Sequence, residues 1–236
     1  MLFAGISKGG FGSGAAFAAT PLMALIIAPA EAVALMLPLL MIMDATALRA
    51  WWGKWSGVEA RHLILGSIAG VVAGVALFRY LDADVIRIMI GLIALGFVAF
   101  QLLQSRGFLR LDDRETGRAD GLMWGAVGGF TSFVSHAGGP PAAVYLLGRK
   151  LEKQAYQGTT VIVFAAINGM KLVAYTWLGM FGGGTLLGVI ALAPFAVLGV
   201  WLGVRAHSLI TNAQFFAVTY VLLTVTGLRL IWVALT

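Results

Sequence analysis

Gly9-Gly10-Phe11, nine residues, then Pro21; Gly128-Gly129-Phe130, nine residues, then Pro140: these two stretches decide how the chain is read. Both landmarks are displaced by 119 positions, and one offset shared by two landmarks divides a 236-residue chain into halves. The chain therefore reads as a duplicated unit. Its glycine and proline clusters break helices, and the sequence around them is strongly apolar. Duplicated apolar halves with broken segments at matching positions point to a membrane transporter whose binding site lies at the breaks.

Composition supports the membrane reading. Apolar residues make up 60% of the chain and charged residues 11%, against about 45–50% and about 25% in soluble domains. A mean hydropathy of +0.94 is that of an integral membrane protein. The 31 glycines suit close helix packing in lipid. With no cysteine, disulfides, thiolate metal sites and cysteine nucleophiles are excluded. The net charge of +6 does not indicate nucleic acid, because no basic run is interleaved with aromatics; an excess of Lys and Arg is what cytoplasmic loops carry. No charged n-region or cleavage site precedes the first motif, so no cleavable signal peptide is expected, and the first arm reads as short.

Six stretches have the length of ordinary spans, about 18–24 residues: 31–52, 61–80, 84–104, 153–178, 184–205 and 212–235. The hydrophilic segment 105–120 is the linker between a first membrane repeat, 1–104, and a second, 121–236. Gly70-x-x-x-Gly74 and Gly199-x-x-x-Gly203 correspond at an offset of 129 and mark close helix packing. The motif segments 1–30 and 121–148 differ from the spans. A continuous 30-residue helix would run about 45 Å, and each segment contains helix breakers, so each reads as two short arms around a break.

Charge decides between a re-entrant hairpin and a discontinuous span. If both broken segments are re-entrant, Arg49, Lys54, Arg61, the four linker arginines, Arg149, Lys150, Lys153 and Arg205 share one side, leaving Lys8, Arg79 and Arg87 on the other. That asymmetry favours re-entrance. Each repeat then has three full spans, an odd number, and the halves are inverted. Eight full spans with parallel repeats is the rival. The expected fold is an all-α integral membrane protein of two inverted repeats, each a broken helix pair plus three transmembrane helices.

The breaks carry small donors: Ser7 and Ser13 in the first, Thr131, Ser132, Ser135 and His136 in the second. Half-helix N-termini there offer free N–H groups and a positive dipole end to an anion. Lys171 lies about midway along its span, and a charge at that depth is by default a functional residue whose partner is to be named; bound anion and Asp44 are the candidates. Asp44 is the one carboxylate deep in an apolar span, and so the candidate for proton coupling. Asn168 lies one turn before Lys171, near the same face. Gly158-Thr159-Thr160 opens the same helix. Trp51, Trp52 and Trp55 beside Arg49, Lys54 and Arg61 read as an interfacial aromatic belt. His62, His136 and His207 are scattered, so no metal site is expected, and Ser135-His136 has no acidic neighbour to make a hydrolytic enzyme.

Gly5-x-x-x-Gly9-Gly10-Phe11-Gly12-Ser13-Gly14, leading to Pro21-Leu22, resembles the glycine-rich opening motif of the sulfite exporter TauE/SafE family of membrane permeases. The second half, with Gly128-Gly129-Phe130, Gly138-Gly139-Pro140-Pro141, Gly158-Thr159-Thr160 and Asn168 … Lys171, resembles that family's second copy. The resemblance implies export of sulfite or a small organosulfonate across the bacterial cytoplasmic membrane; no cofactor is expected. The substrate-binding residues expected are Gly9, Gly10, Gly12, Ser13, Ser135, His136, Gly138, Gly139, Thr159, Asn168 and Lys171. The expected partners are the small anion and membrane lipid, with no nucleic acid; a homodimer stays open. A channel of the same architecture and a non-transporting scaffold subunit are the alternatives.

Overall fold

The computed structural model describes residues 1–10, 18–108, 116–206 and 212–236. Ten helices occupy them: α1 Leu2–Gly10, α2 Ala19–Ala24, α3 Pro29–Ala50, α4 Gly57–Phe78, α5 Ala83–Ser105, α6 Arg118–Ser135, α7 Gly139–Gly148, α8 Lys153–Trp177, α9 Gly183–Ala206 and α10 Asn212–Leu235. Among the described residues there is no strand. Six of these helices (α3, α4, α5, α8, α9 and α10) are long and apolar enough to cross a membrane, and they coincide with the six expected spans. Large apolar side chains such as Leu186, Ile190, Val221, Val225 and Trp232 stand exposed on α9 and α10, the surface that lipid covers.

Helix ends follow local chemistry. Pro29 opens α3, where a missing N–H costs nothing. Asp82 caps α5 by accepting from the Val85 N–H at 2.8 Å, and Asp120 accepts the Gly117 N–H at the start of α6 at 2.9 Å. α6 stops at His136, which takes the left-handed conformation at φ 58°. The turn is tied back to α6 by reciprocal bonds: Ala137 N–H donates to Thr131 O at 3.3 Å, and Thr131 Oγ1 donates to Ala137 O at 3.0 Å.

The hairpin of α6 and α7 begins and ends at one end of the bundle. Thr116, just before α6, donates to Tyr145 O near the end of α7 at 3.2 Å. The α3–α4 turn lies at the same end, since Ser56 N–H donates to Thr159 Oγ1 near the start of α8 at 2.9 Å. This is the linker end, and Arg49, Lys54, Arg61, Arg118, Arg149, Lys150 and Lys153 gather there. Arg79 and Trp177 mark the opposite end, where α4 and α8 finish; the guanidinium lies 5.1 Å from the ring centre.

Helices pack closely where glycines leave no side chain between backbones, the main means of helix association in lipid. A Cβ on Gly66 or Gly70 of α4 would run into Leu122 O or Ala126 O of α6; one on Gly199 or Gly203 of α9 would run into Leu2 O or Ile6 O of α1. The contacts return the same way: Gly125 and Gly129 of α6 meet Leu63 and Ser67 of α4, while Gly5 and Gly9 of α1 meet Ala196 and Val200 of α9. Thus α6 runs parallel to α4 and α1 runs parallel to α9. Because α4 leaves the linker end and α9 leaves the opposite end, the two first arms enter the bundle from opposite ends.

These contacts correct one expected correspondence. Gly66 and Gly70, rather than Gly70 and Gly74, hold the places of Gly199 and Gly203, an offset of 133 and not 129. Gly74 instead meets the Phe133 side chain. Between α1 and α6 the packing offset is 120, one residue from the 119 of the Gly-Gly-Phe landmarks. Across the middle, α3 packs on α8, and α5 on α10.

Candidate functional site

Four helices and one helix break deliver polar side chains to one buried chain of contacts. Lys8 comes from α1, Asp44 from α3, Asn168 and Lys171 from α8, Ser132 from α6, and His136 from the break between α6 and α7. All six are buried, Lys171 completely. Lys8 Nζ lies 2.5 Å from Asp44 Oδ1 and donates to Leu40 O at 3.4 Å. The ion pair lacks hydrogen-bond alignment, so Asp44 Oδ1 receives the ammonium's charge without a directed donor. The other carboxylate oxygen, Oδ2, accepts from Asn168 Nδ2 at 2.6 Å. Asn168 Oδ1 in turn accepts from Lys171 Nζ at 3.0 Å.

Lys171 completes its donor set with Ser132 Oγ at 3.1 Å and His136 Nδ1 at 2.5 Å. An ammonium can only donate, so His136 Nδ1 must accept and the ring proton sits on Nε2, 2.9 Å from Val33 O. The same logic fixes the Asn168 amide, with its NH2 toward the carboxylate and its oxygen toward Lys171. The left-handed turn at His136 is what aims the imidazole at both α3 and α8. It carries a strain that few residue types other than glycine accept, histidine among them.

The charge balance is uneven. Lys8 and Lys171 bring two ammonium groups to the cluster and Asp44 brings one carboxylate, which touches Lys8. Every hydrogen-bond partner of Lys171 among the described residues is neutral. Removing an ion from water costs several kcal/mol unless an opposite charge compensates. Lys171 thus has no charged group among its hydrogen-bond acceptors in the described residues.

The remaining expected residues lie elsewhere. Ser135 Oγ donates back to Thr131 O at 3.2 Å. Gly138 packs its Cα side against Ser132 and Phe164, a tight spot within the turn, and Gly139 is the buried first residue of α7. Because Pro140 and Pro141 follow, the first turn of α7 lacks two N–H groups that a half-helix would present to an anion. Thr159 is a link at the linker end, donating to Ala155 O at 2.6 Å while accepting from Ser56. It lies 12 residues before Lys171, about 18 Å along the helix. Gly9 serves the contact with α9, and Gly10 ends α1. Gly12 and Ser13 lie outside the described residues.

Two features were missed by sequence reasoning. Lys8, assigned by loop counting to the charge-poor side, is an interior group facing Asp44; its signal was the same as that of Lys171, a lone cation inside an apolar stretch. Asp44 and Lys171 do not pair directly, since Asn168 stands between them. Tyr175, one turn beyond Lys171, donates to Phe133 O at 2.5 Å and so occupies a carbonyl freed by the end of α6.

No curated protein and no solved structure matches the chain. A family model described as Sulfite exporter TauE/SafE does, over residues 1–230. That stretch takes in both broken segments, the linker and every residue of the buried cluster, and the chain belongs to the sulfite exporter TauE/SafE family of membrane transporters.

Proposed function

We propose that the chain is a secondary transporter exporting a small anion, sulfite or an organosulfonate, with the anion seated at Lys171. One observation carries the reading: a fully buried ammonium whose described partners are all neutral, beside a carboxylate already engaged by a second lysine. An anion arriving there replaces the weak acceptors of Lys171 with a charge. The Ser132 hydroxyl can rotate from accepting to donating, and the Lys8 charge adds attraction from across Asp44. Asn168 passes the state of Asp44 to Lys171, because its amide bonds both.

Asp44 is the coupling group in this reading. A proton on Asp44 leaves two ammonium groups with no carboxylate, which strengthens the attraction for an anion. By linkage, the anion strengthens the proton's binding by the same factor. The two first arms, α1 and α6, enter from opposite ends and each packs on a helix of the other half, so movement about a fixed site would carry each arm together with that helix.

The test is uptake of labelled sulfite into proteoliposomes, with and without an imposed pH gradient and with sulfoacetate and sulfate as competitors. Saturable, gradient-sensitive uptake that Lys171→Ala abolishes is expected. Uptake equal to that of empty liposomes, or a fully active Lys171→Ala protein, overturns the proposal.

A further inference from the structure

At the end opposite the linker, a cavity of about 450 Å³ opens between the last turns of α4 and α8, lined by Phe78, Arg79, Trp177, Leu178 and Met180. Arg79, an exposed residue, brings a cation to this wall, its guanidinium 5.1 Å from the centre of the exposed Trp177 ring. Stacking on an aromatic face holds the planar group in place while leaving its edge N–H donors open to a ligand. Nearby, Asp84 pairs with Arg87, and Asp82 caps α5 by accepting the Val85 N–H.

A row of packed aromatic rings runs from the cavity wall toward Lys171. Phe78, in its wall, meets Phe133 edge-on at 5.6 Å between ring centres. Phe133 meets Tyr175 at 5.0 Å, and Tyr175 lies 6.4 Å from the His136 ring, which accepts from Lys171. Phe133 and Tyr175 are both fully buried. A stack of aromatic rings therefore separates the open cavity from the buried ammonium, and its inner member is on the same helix as Lys171, one turn away.

We infer that this cavity is a second anion-binding site, an outer antechamber in which Arg79 holds a sulfonate or sulfite oxyanion on the far side of the Phe133–Tyr175 barrier from Lys171. Arg79 supplies the charge and the paired donors that an oxyanion takes, and Trp177 fixes the guanidinium and flanks the organic part of a sulfonate. The inference rests on the proposed function for its place in a transport path, but the binding itself is separable from transport.

The experiment uses sulfoacetate with the purified full chain in lipid nanodiscs, read by Trp177 fluorescence taken as the difference between the intact protein and Trp177→Phe. A saturable change is expected in the unmodified chain and in Lys171→Ala. Arg79→Gln should weaken it by up to about fivefold, the loss associated with one exposed ionic contact. Arg79→Lys should fall between, and Arg87→Gln should match the unmodified chain. No saturable change overturns the inference, as does a change that persists unaltered in Arg79→Gln. A change lost in Lys171→Ala also overturns it, because the signal would then come from the inner site. Fluorescence binding without liposome uptake would leave the antechamber standing and remove the transport reading; uptake without this binding would do the reverse.

Discussion

Asp44→Asn isolates the electrostatic weight of the buried cluster. The substitution keeps the side chain's shape, and the amide oxygen can still accept from Asn168 Nδ2, a bond of 2.6 Å in the unmodified chain. What disappears is the charge facing Lys8, whose side chain is 6% exposed and whose other acceptor is Leu40 O at 3.4 Å. Breaking a buried pair by removing one partner costs about 3–5 kcal/mol. At about 2–4 °C per kcal/mol for a chain of this size, thermal unfolding should move down by about 6–20 °C. Lys8→Met together with Asp44→Asn removes both charges, and most of the loss should return, since replacing a whole buried pair is close to neutral. Unfolding of the purified protein in detergent, followed by intrinsic fluorescence, reads both shifts. Saturating sulfite should stabilise Asp44→Asn more than the unmodified chain, because the anion restores the missing negative charge. An Asp44→Asn protein within about 2 °C of the unmodified one, or a double variant no better than the single, would refute the assignment of Lys8 and Asp44 as a charge pair.

Lys171→Ala should abolish anion uptake while substitutions in the linker leave it unchanged, measured in the same proteoliposome assay; equal losses in both would point to general damage. Gly70→Ala places a Cβ against Ala126 O in the α4–α6 contact, whereas Gly96 on α5 has nothing within 4 Å. Melting curves should show Gly70→Ala destabilised by about 1–3 kcal/mol and Gly96→Ala unchanged or stabilised by up to about 1 kcal/mol. Glu59 is buried at the linker end, bonded by the Tyr145 hydroxyl and by Arg149 Nε at 2.9 Å. Glu59→Gln should cost about 1–2 kcal/mol, reduced because Arg149 is partly exposed, and should speed tryptic cleavage in the linker; an unchanged cleavage rate would show that this clasp does not restrain the linker end.

The spans and the break between α6 and α7 were legible because they depend on local signals: runs of apolar residues, Gly-Gly-Pro-Pro, and charges gathered in loops. The register between repeats was not. Glycines four apart recur in α4 at 66, 70 and 74, so a slip of one helical turn leaves the pattern unchanged; only contact with Leu122 and Ala126 fixes the choice. Asp44 and Lys171 were visible as costly charges in apolar spans, but pairing is a matter of three-dimensional reach. Nothing local shows that Asn168 comes between them, or that the short α1 carries Lys8 inward to meet Asp44. His136 was conspicuous by its position at the break. Its part in the cluster depends on a left-handed backbone that sequence alone did not require.

The crossed packing constrains how the cluster can move. Glycine contacts bind α6 to α4 and α1 to α9, so each first arm is packed on a helix of the other half. Asp44, Asn168 and Lys171 sit instead on α3 and α8, which pack on each other. Rocking the α1–α9 pair against that centre strains the Lys8–Asp44 contact; rocking the α4–α6 pair strains the bonds from Lys171 to Ser132 and His136. In the proposed transport cycle the first movement would expose a carboxylate and an ammonium to exchange a proton, and the second would free Lys171 to hold or release an anion. The centre joins the two events through one amide, Asn168, whose oxygen and nitrogen face opposite charges. Under the proposed function, proton and anion would meet different parts of the protein while sharing a single link at Asn168, which is the physical requirement for coupling one to the other.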